Sequence, residues 1–173
     1  MRHLTPGDYR TMPWANGRGV TVEMLRVDEN GALKWRLSRA SIVEDGDFSI
    51  FANTERNLTV ISGPGFDLVG PTGVLPARAL VPVAFAGDVP LRATGVTAPS
   101  DDFNVMTARG LALPNVQVLT FDTRLDTDGV FAIFALGTAG VNHVKMERHD
   151  LVITDRPVHI QPDAPVIVVS LFG

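Results

Sequence analysis

Leu58-Thr59-Val60-Ile61-Ser62-Gly63-Pro64-Gly65 reads as a β-strand entering a glycine turn, and Val130-Phe131-Ala132-Ile133-Phe134-Ala135-Leu136-Gly137 repeats that design about seventy residues later. Each copy leads to a strand that enters an aspartate-marked turn and a proline-flanked strand. The first reads Phe85-Ala86-Gly87-Asp88-Val89-Pro90 and the second Ile153-Thr154-Asp155-Arg156-Pro157-Val158. Two copies of a small antiparallel barrel produce this echo. Chance similarity between short β sequences is the alternative.

The rest of the chain agrees with an all-β fold. Sixteen glycines and twelve prolines break it every few residues. Between the breaks lie apolar runs at Val20–Val27, Leu33–Ile42, Ala79–Phe85, Val116–Phe121, Leu151–Thr154 and Pro165–Phe172. Turn chemistry separates them at Asp28-Glu29-Asn30-Gly31, Asp45-Gly46-Asp47 and Asp126-Thr127-Asp128-Gly129. No ten-residue window keeps the 3.6-residue apolar period. The best helix candidate follows Ser100, where Asp101 and Asp102 suit a first turn, but Phe103 to Thr107 reads equally well as a strand.

Composition excludes several functions. A net charge of −4 without a basic block argues against nucleic acid as a partner. With no cysteine, disulfides, zinc–thiolate sites and thiol nucleophiles are ruled out. The start, Met1-Arg2-His3-Leu4-Thr5-Pro6-Gly7-Asp8, does not read as a secretory signal, and no run is long enough to span a membrane. A cytoplasmic location is the expectation, which leaves the Asn57-Leu58-Thr59 sequon without a secretory route. A metal site in such a barrel typically uses two histidines at i and i+2, facing one way along a strand. His3, His143, His149 and His159 form no such pair, and His143 and His149 around Glu147 read best as a solvated turn. No metal and no cofactor are expected. Gly63-Pro64-Gly65 with Gly70 does not complete a dinucleotide fingerprint, since Leu68 replaces its third glycine.

Three segments carry candidate chemistry. Met12-Pro13-Trp14-Ala15-Asn16-Gly17-Arg18-Gly19 is a glycine-rich polar loop running into Val20-Thr21-Val22-Glu23-Met24. Its glycines let backbone N–H groups approach a ligand, and Asn16 both donates and accepts; an ordinary surface hairpin is the other reading. On a strand, Thr21 and Glu23 share a face. In Trp35-Arg36-Leu37-Ser38-Arg39-Ala40, alternation puts Arg36, Ser38 and Ala40 together, suiting a carboxylate pocket because guanidinium grips carboxylate in bidentate fashion. Asp45, Phe48, Ser49, Phe51 and Arg56 follow, and Asp101-Asp102-Phe103-Asn104 sets two acids and an amide beside an apolar strand. For Arg36 and Arg56, pairing with surface carboxylates is the competing explanation.

Together these segments resemble the HutD/Ves family. The resemblance rests on Met-Pro-Trp-x-Asn-Gly-x-Gly-x-Thr-x-Glu (12–23), Trp-Arg-Leu-Ser-x-Ala (35–40), Asp-Gly-x-Phe-Ser-x-Phe (45–51), Arg-x-Leu (56–58) and Asp-Phe-Asn-Val-Met-Thr-x-Arg-Gly (102–110). It departs from the usual pattern at Ala15, Arg18 and Glu55-Arg56-Asn57, and beyond residue 120 it is mainly strand rhythm. The resemblance implies a bicupin fold of two fused antiparallel cupin-like barrels of the RmlC-like jelly-roll type. The approximate halves are 1–115 and 116–173 of a single compact unit, with strands exchanged between them. It also implies an accessory or regulatory association with histidine utilisation, and it brings no established reaction.

The expected function is capture of a small carboxylate such as urocanate, formylglutamate or formate. The binding candidates are Trp14, Asn16, Gly17, Thr21, Glu23, Arg36, Ser38, Phe48, Phe51, Arg56 and Asn104. A metal-free isomerase or hydrolase with Glu23 or Asp102 as general base is the alternative. A third is an interaction protein, and a homodimer is the further partner considered.

Overall fold

Short runs of β-branched and aromatic residues, cut repeatedly by glycine or proline, extend and pair as that composition dictates. The computed structural model describes residues 1–14, 17, 19–126 and 129–171, and its only helical segment among them is a 3-10 turn at Pro6–Asp8. In chain order the strands begin β1 (Arg2–Leu4), β2 (Arg10–Pro13), β3 (Val20–Glu29), β4 (Ala32–Ile42), β5 (Gly46–Asp47) and β6 (Thr54–Ser62). They continue with β7 (Phe66–Gly70), β8 (Gly73–Ala77), β9 (Val83–Ala86), β10 (Arg92–Thr94), β11 (Ser100–Ala108) and β12 (Asn115–Leu119). The last are β13 (Thr123–Leu125), β14 (Val130–Ala135), β15 (Ala139–Val141), β16 (Val144–Met146), β17 (Leu151–Thr154), β18 (Val158–Pro162) and β19 (Val166–Leu171).

The chain forms two units, Arg10–Gly110 and Met1–Tyr9 with Leu111–Gly173. The first has a six-stranded sheet, β2-β3-β4-β11-β6-β9, and a four-stranded one, β5-β10-β7-β8. In the second, a five-stranded sheet, β1-β17-β14-β19-β12, accompanies a four-stranded sheet, β13-β18-β15-β16. The order β4-β11-β6-β9 recurs as β12-β19-β14-β17, and β5-β10-β7-β8 recurs as β13-β18-β15-β16. The two strands of the sequence echo, β6 and β14, therefore hold equivalent places. The fold is an all-β double cupin.

Each unit has its own apolar core. Leu58, Val60, Phe66, Leu68, Leu91 and Ala93 pack in the first, with Phe48 and Phe85 against them. Phe131, Ile133, Val141, Met146, Val152, Ile160 and Val168 pack in the second. The N-terminal strand belongs to the second unit: β1 pairs antiparallel with β17, matching Arg2 to Ile153 and Leu4 to Leu151. His3 Nε2 lies 2.9 Å from Asp150 Oδ2, and the Tyr9 hydroxyl donates to the His149 carbonyl at 2.6 Å.

The stretch after Ser100 is a strand and not a helix. β11 pairs with β4 on one side and β6 on the other, and its alternate residues face opposite ways. Period-two alternation over Phe103–Thr107 outweighs the weak capping signal of the two aspartates. A bulge in β3 between Glu23 and Leu25 lets the following residues re-register against β4. Among the described residues no helix is long and apolar enough to cross a membrane.

Candidate functional site

The six-stranded sheet turns an unusually polar face inward. Register aligns Thr21 with Ala40 and Glu23 with Ser38 across β3 and β4. On the next pair, Ala40 faces Asp102, Ser38 faces Asn104 and Arg36 faces Met106. Met106 in turn lies opposite Arg56 on β6, which pairs with Phe85 on β9. Strand alternation thus sums four short patterns into one surface. This surface lines a cavity of about 590 Å³, completed by Trp14, the segment from Val43 to Ser49, Phe51, Arg92 and Ala93.

Two guanidiniums occupy the cavity in different states. Arg36 Nε donates to Glu23 Oε2 at 2.7 Å, and both side chains are largely buried. Among the described residues Arg56 has no such carboxylate partner. Its Nη2 donates to Asn104 Oδ1 at 2.9 Å and its Nη1 to the Ser49 carbonyl at 3.3 Å, while its buried Nε has no hydrogen-bond partner. The ring centroids of Phe85, Phe51 and Phe48 lie 5.0, 5.2 and 5.5 Å from its guanidinium carbon, a cation–π setting.

Asp102 completes the chain of polar groups. The Asn104 amide nitrogen donates to Asp102 Oδ1, and the buried Oδ2 has no partner. Burial pushes the Asp102 carboxyl up to about 7, against the favourable field of Arg56, with neighbouring Asp101 adding to the rise. Burial also brings Arg56 down to about 10, opposed by Asp102 and assisted by Arg36. Arg56 stays charged at neutral pH, and Asp102 sits near its midpoint.

At the mouth, Trp14 Nε1 donates to Thr21 Oγ1 at 2.9 Å, and the Trp14 backbone N–H donates to the Gly19 carbonyl at 2.8 Å. The indole lies so close to Gly19 that a Cβ there would meet its ring at 2.8 Å. Arg92 Nη1 donates to Asp47 Oδ1 at 2.9 Å, and Asp45 Oδ1 accepts from the Val96 backbone.

Of the residues named from the sequence, Trp14, Thr21, Arg36, Ser38, Phe48, Phe51, Arg56, Asp102 and Asn104 line this one cavity. Glu23 reaches it through Arg36. Gly17, with φ +70°, closes a turn onto the Trp14 carbonyl, and Asn16 lies outside the described residues. Sequence reasoning missed Phe85, Met106, Asp47 and Arg92 as members of this neighbourhood. Phe85 sits in an ordinary apolar run, and the other three carry no local pattern that marks a site. Among the described residues no group of three or more histidine and carboxylate side chains is arranged to hold a metal ion.

A HutD family profile matches residues 7–166. An uncharacterised 21.2 kDa protein in the hutC 3′ region of Pseudomonas putida is 39% identical over 110 residues, spanning 61% of this chain and 57% of that protein. Protein Ves of Citrobacter koseri is 34% identical over 136 residues, 74% of this chain and 71% of its own length. Among solved structures, HutD from Pseudomonas fluorescens SBW25, in a formate condition, superposes with a TM-score of 0.90 at 29% identity, covering 99% of this chain and 97% of that one. A cupin 2 conserved barrel protein from Leptotrichia buccalis shares the fold at a TM-score of 0.61 and 8% identity, over 98% of this chain and 96% of that one.

Proposed function

The chain belongs to the HutD family, and from that premise we propose that it binds a small carboxylate as an accessory or regulatory component of histidine utilisation. The observation that carries this reading is Arg56, a buried guanidinium in a cavity, ringed by three phenylalanines and lacking a direct carboxylate partner. A buried charge with no directly bonded counter-ion is costly, and an anionic ligand would supply one. Guanidinium and carboxylate match in shape as well as charge. Arg36 is already engaged by Glu23, so Arg56 is the anchor and Arg36 a supporting charge. Trp14 and Phe48 cover the ligand.

Thermal unfolding with formate, urocanate and formylglutamate tests the reading. At least one should raise the melting temperature of the wild type, and Arg56→Gln should remove that rise. A rise that survives in Arg56→Gln, in protein with unchanged circular dichroism, overturns the anchor. A second reading, a metal-free isomerase or hydrolase, draws support from Asp102, a buried cavity acid whose affinity for protons suits acid–base work near neutrality. Turnover of urocanate or formylglutamate, lost in Asp102→Asn, would favour it.

A further inference from the structure

We propose that this cavity takes up its anion together with a proton, and that Asp102 Oδ2 is the atom that holds the proton. The inference rests on the carboxylate-binding reading above and adds a regulation of the same site by pH.

The geometry is a relay of three side chains. Arg56 Nη2 donates to Asn104 Oδ1, and Asn104 Nδ2 donates to Asp102 Oδ1. The amide stands between cation and acid, so Arg56 reaches Asp102 by its field and through Asn104. Asp102 is only 1% exposed, and its second oxygen is left without a donor. A carboxylate oxygen in that position is poorly solvated, whereas a carboxyl O–H there is a donor available to a bound anion.

The charges around Asp102 make the coupling follow. From β3 and β4 come Glu23 and Arg36, joined at 2.7 Å; from the four-stranded sheet come Asp47 and Arg92, joined at 2.9 Å. Each pair is close to neutral as a unit. Glu44 and Asp45 lie on the exposed side of the cavity. Asp101, next along β11, accepts from the Ser41 and Ser62 hydroxyls and adds a repulsive field. Arg56 on β6 is the cation that favours an ionised Asp102. An anion docked on Arg56 offsets that cation and brings a second negative charge near Asp102. The acid responds by taking a proton from solvent: an O–H bond forms at Oδ2 and a buffer acid or hydronium loses its proton. Reciprocity then requires that protonation of Asp102 tighten anion binding.

Calorimetric titration with formate and with N-formylglutamate, both ionised throughout, decides this. In the wild type, affinity should fall about tenfold per pH unit as pH rises above neutrality, until Asp102 ionises in the complex as well. Binding enthalpies in two buffers of different ionisation enthalpy should report uptake of a proton above neutrality. Asp102→Asn, neutral at every pH, should bind with an affinity that ignores pH. Wild-type affinity that is flat across this range, or a slope that persists in Asp102→Asn, overturns the coupling alone. Failure of both probes to bind at acidic pH overturns the carboxylate reading and the coupling with it.

Discussion

Arg56 Nη2 donates to Asn104 Oδ1 at 2.9 Å, and this bond fixes which way the Asn104 amide points. With its oxygen held by the guanidinium, the amide nitrogen is left to face Asp102. Asn104 thus separates a buried cation from a buried acid while satisfying one group on each.

Replacing Asn104 by Leu, similar in size but without polar atoms, should strip a partner from both neighbours. The expected loss is about 1–3 kcal/mol, the cost of leaving buried polar groups unsatisfied. Urea denaturation measures it, and an unchanged midpoint would show that the relay contributes nothing to stability.

Glu23→Gln should have effects of opposite sign on folding and binding. The amide still accepts from Arg36 Nε, but the charge that neutralised this guanidinium is gone. Stability should drop by about 1–3 kcal/mol. Affinity for formate should rise several-fold, because two cations then face the cavity. Parallel denaturation and titration of the variant check both halves.

The acid at 102 also makes a prediction for the ligand-free protein. Its folded pKa, about 7, lies above the ordinary value of 3.8, so between those values the folded state holds a proton that the unfolded state releases. The stabilising contribution is complete below the unfolded value and is lost as pH rises through the folded one, at about 1.4 kcal/mol per pH unit. Asp8, Asp88 and Asp122 are held below the ordinary range by hydrogen bonds from Thr5, Arg109 and His159, and give slopes of the other sign. The clean measurement is therefore the stability difference between wild type and Asp102→Asn, followed from acid to neutral pH. That difference should move toward the variant as pH rises and level off above neutrality.

Gly63→Ala should destabilise the Arg10–Gly110 unit. Gly63 directly follows β6 with φ +84°, and a Cβ there would lie 2.2 Å from the Pro99 carbonyl oxygen. Left-handed backbone alone costs an L-residue about 1–2 kcal/mol, and the clash adds to it. A lowered thermal midpoint is expected; an unchanged one would mean that this turn relaxes freely.

Trp14 should report on occupancy. It lines the cavity, and the other tryptophan, Trp35, does not. Ligand-dependent fluorescence change should persist in Trp35→Phe and vanish in Trp14→Phe.

Much of this site was legible because strands write their faces into the sequence. The alternation Arg36, Ser38, Ala40 and the spacing Asp102, Asn104 each mark residues that point one way. What alternation does not encode is which strand lies beside which. Alternation offers both Glu23 and Arg36 as ligand contacts, whereas the β3–β4 hairpin sets Glu23 opposite Ser38 and lets it pair diagonally with Arg36. Phe85 reads as a core residue until β9 is placed beside β6, where it covers Arg56. The equivalence of β6 and β14 was visible because both are central apolar strands ending in glycine turns. The pairing of β1 with β17 was not, since three residues carry too little pattern to name a partner.

That pairing has a consequence for how the molecule assembles. His3 and Asp150 are 147 positions apart, and β1 finds no place in its sheet until β17 exists. The Arg10–Gly110 unit, by contrast, is continuous in sequence. Closing so long a loop is an entropic cost met late in folding, after local hairpins have formed. Until β17 is in place the backbone N–H and C=O groups of β1 have no strand to pair with, and an unpaired strand is open to water, to chaperones or to the edge of another molecule's sheet.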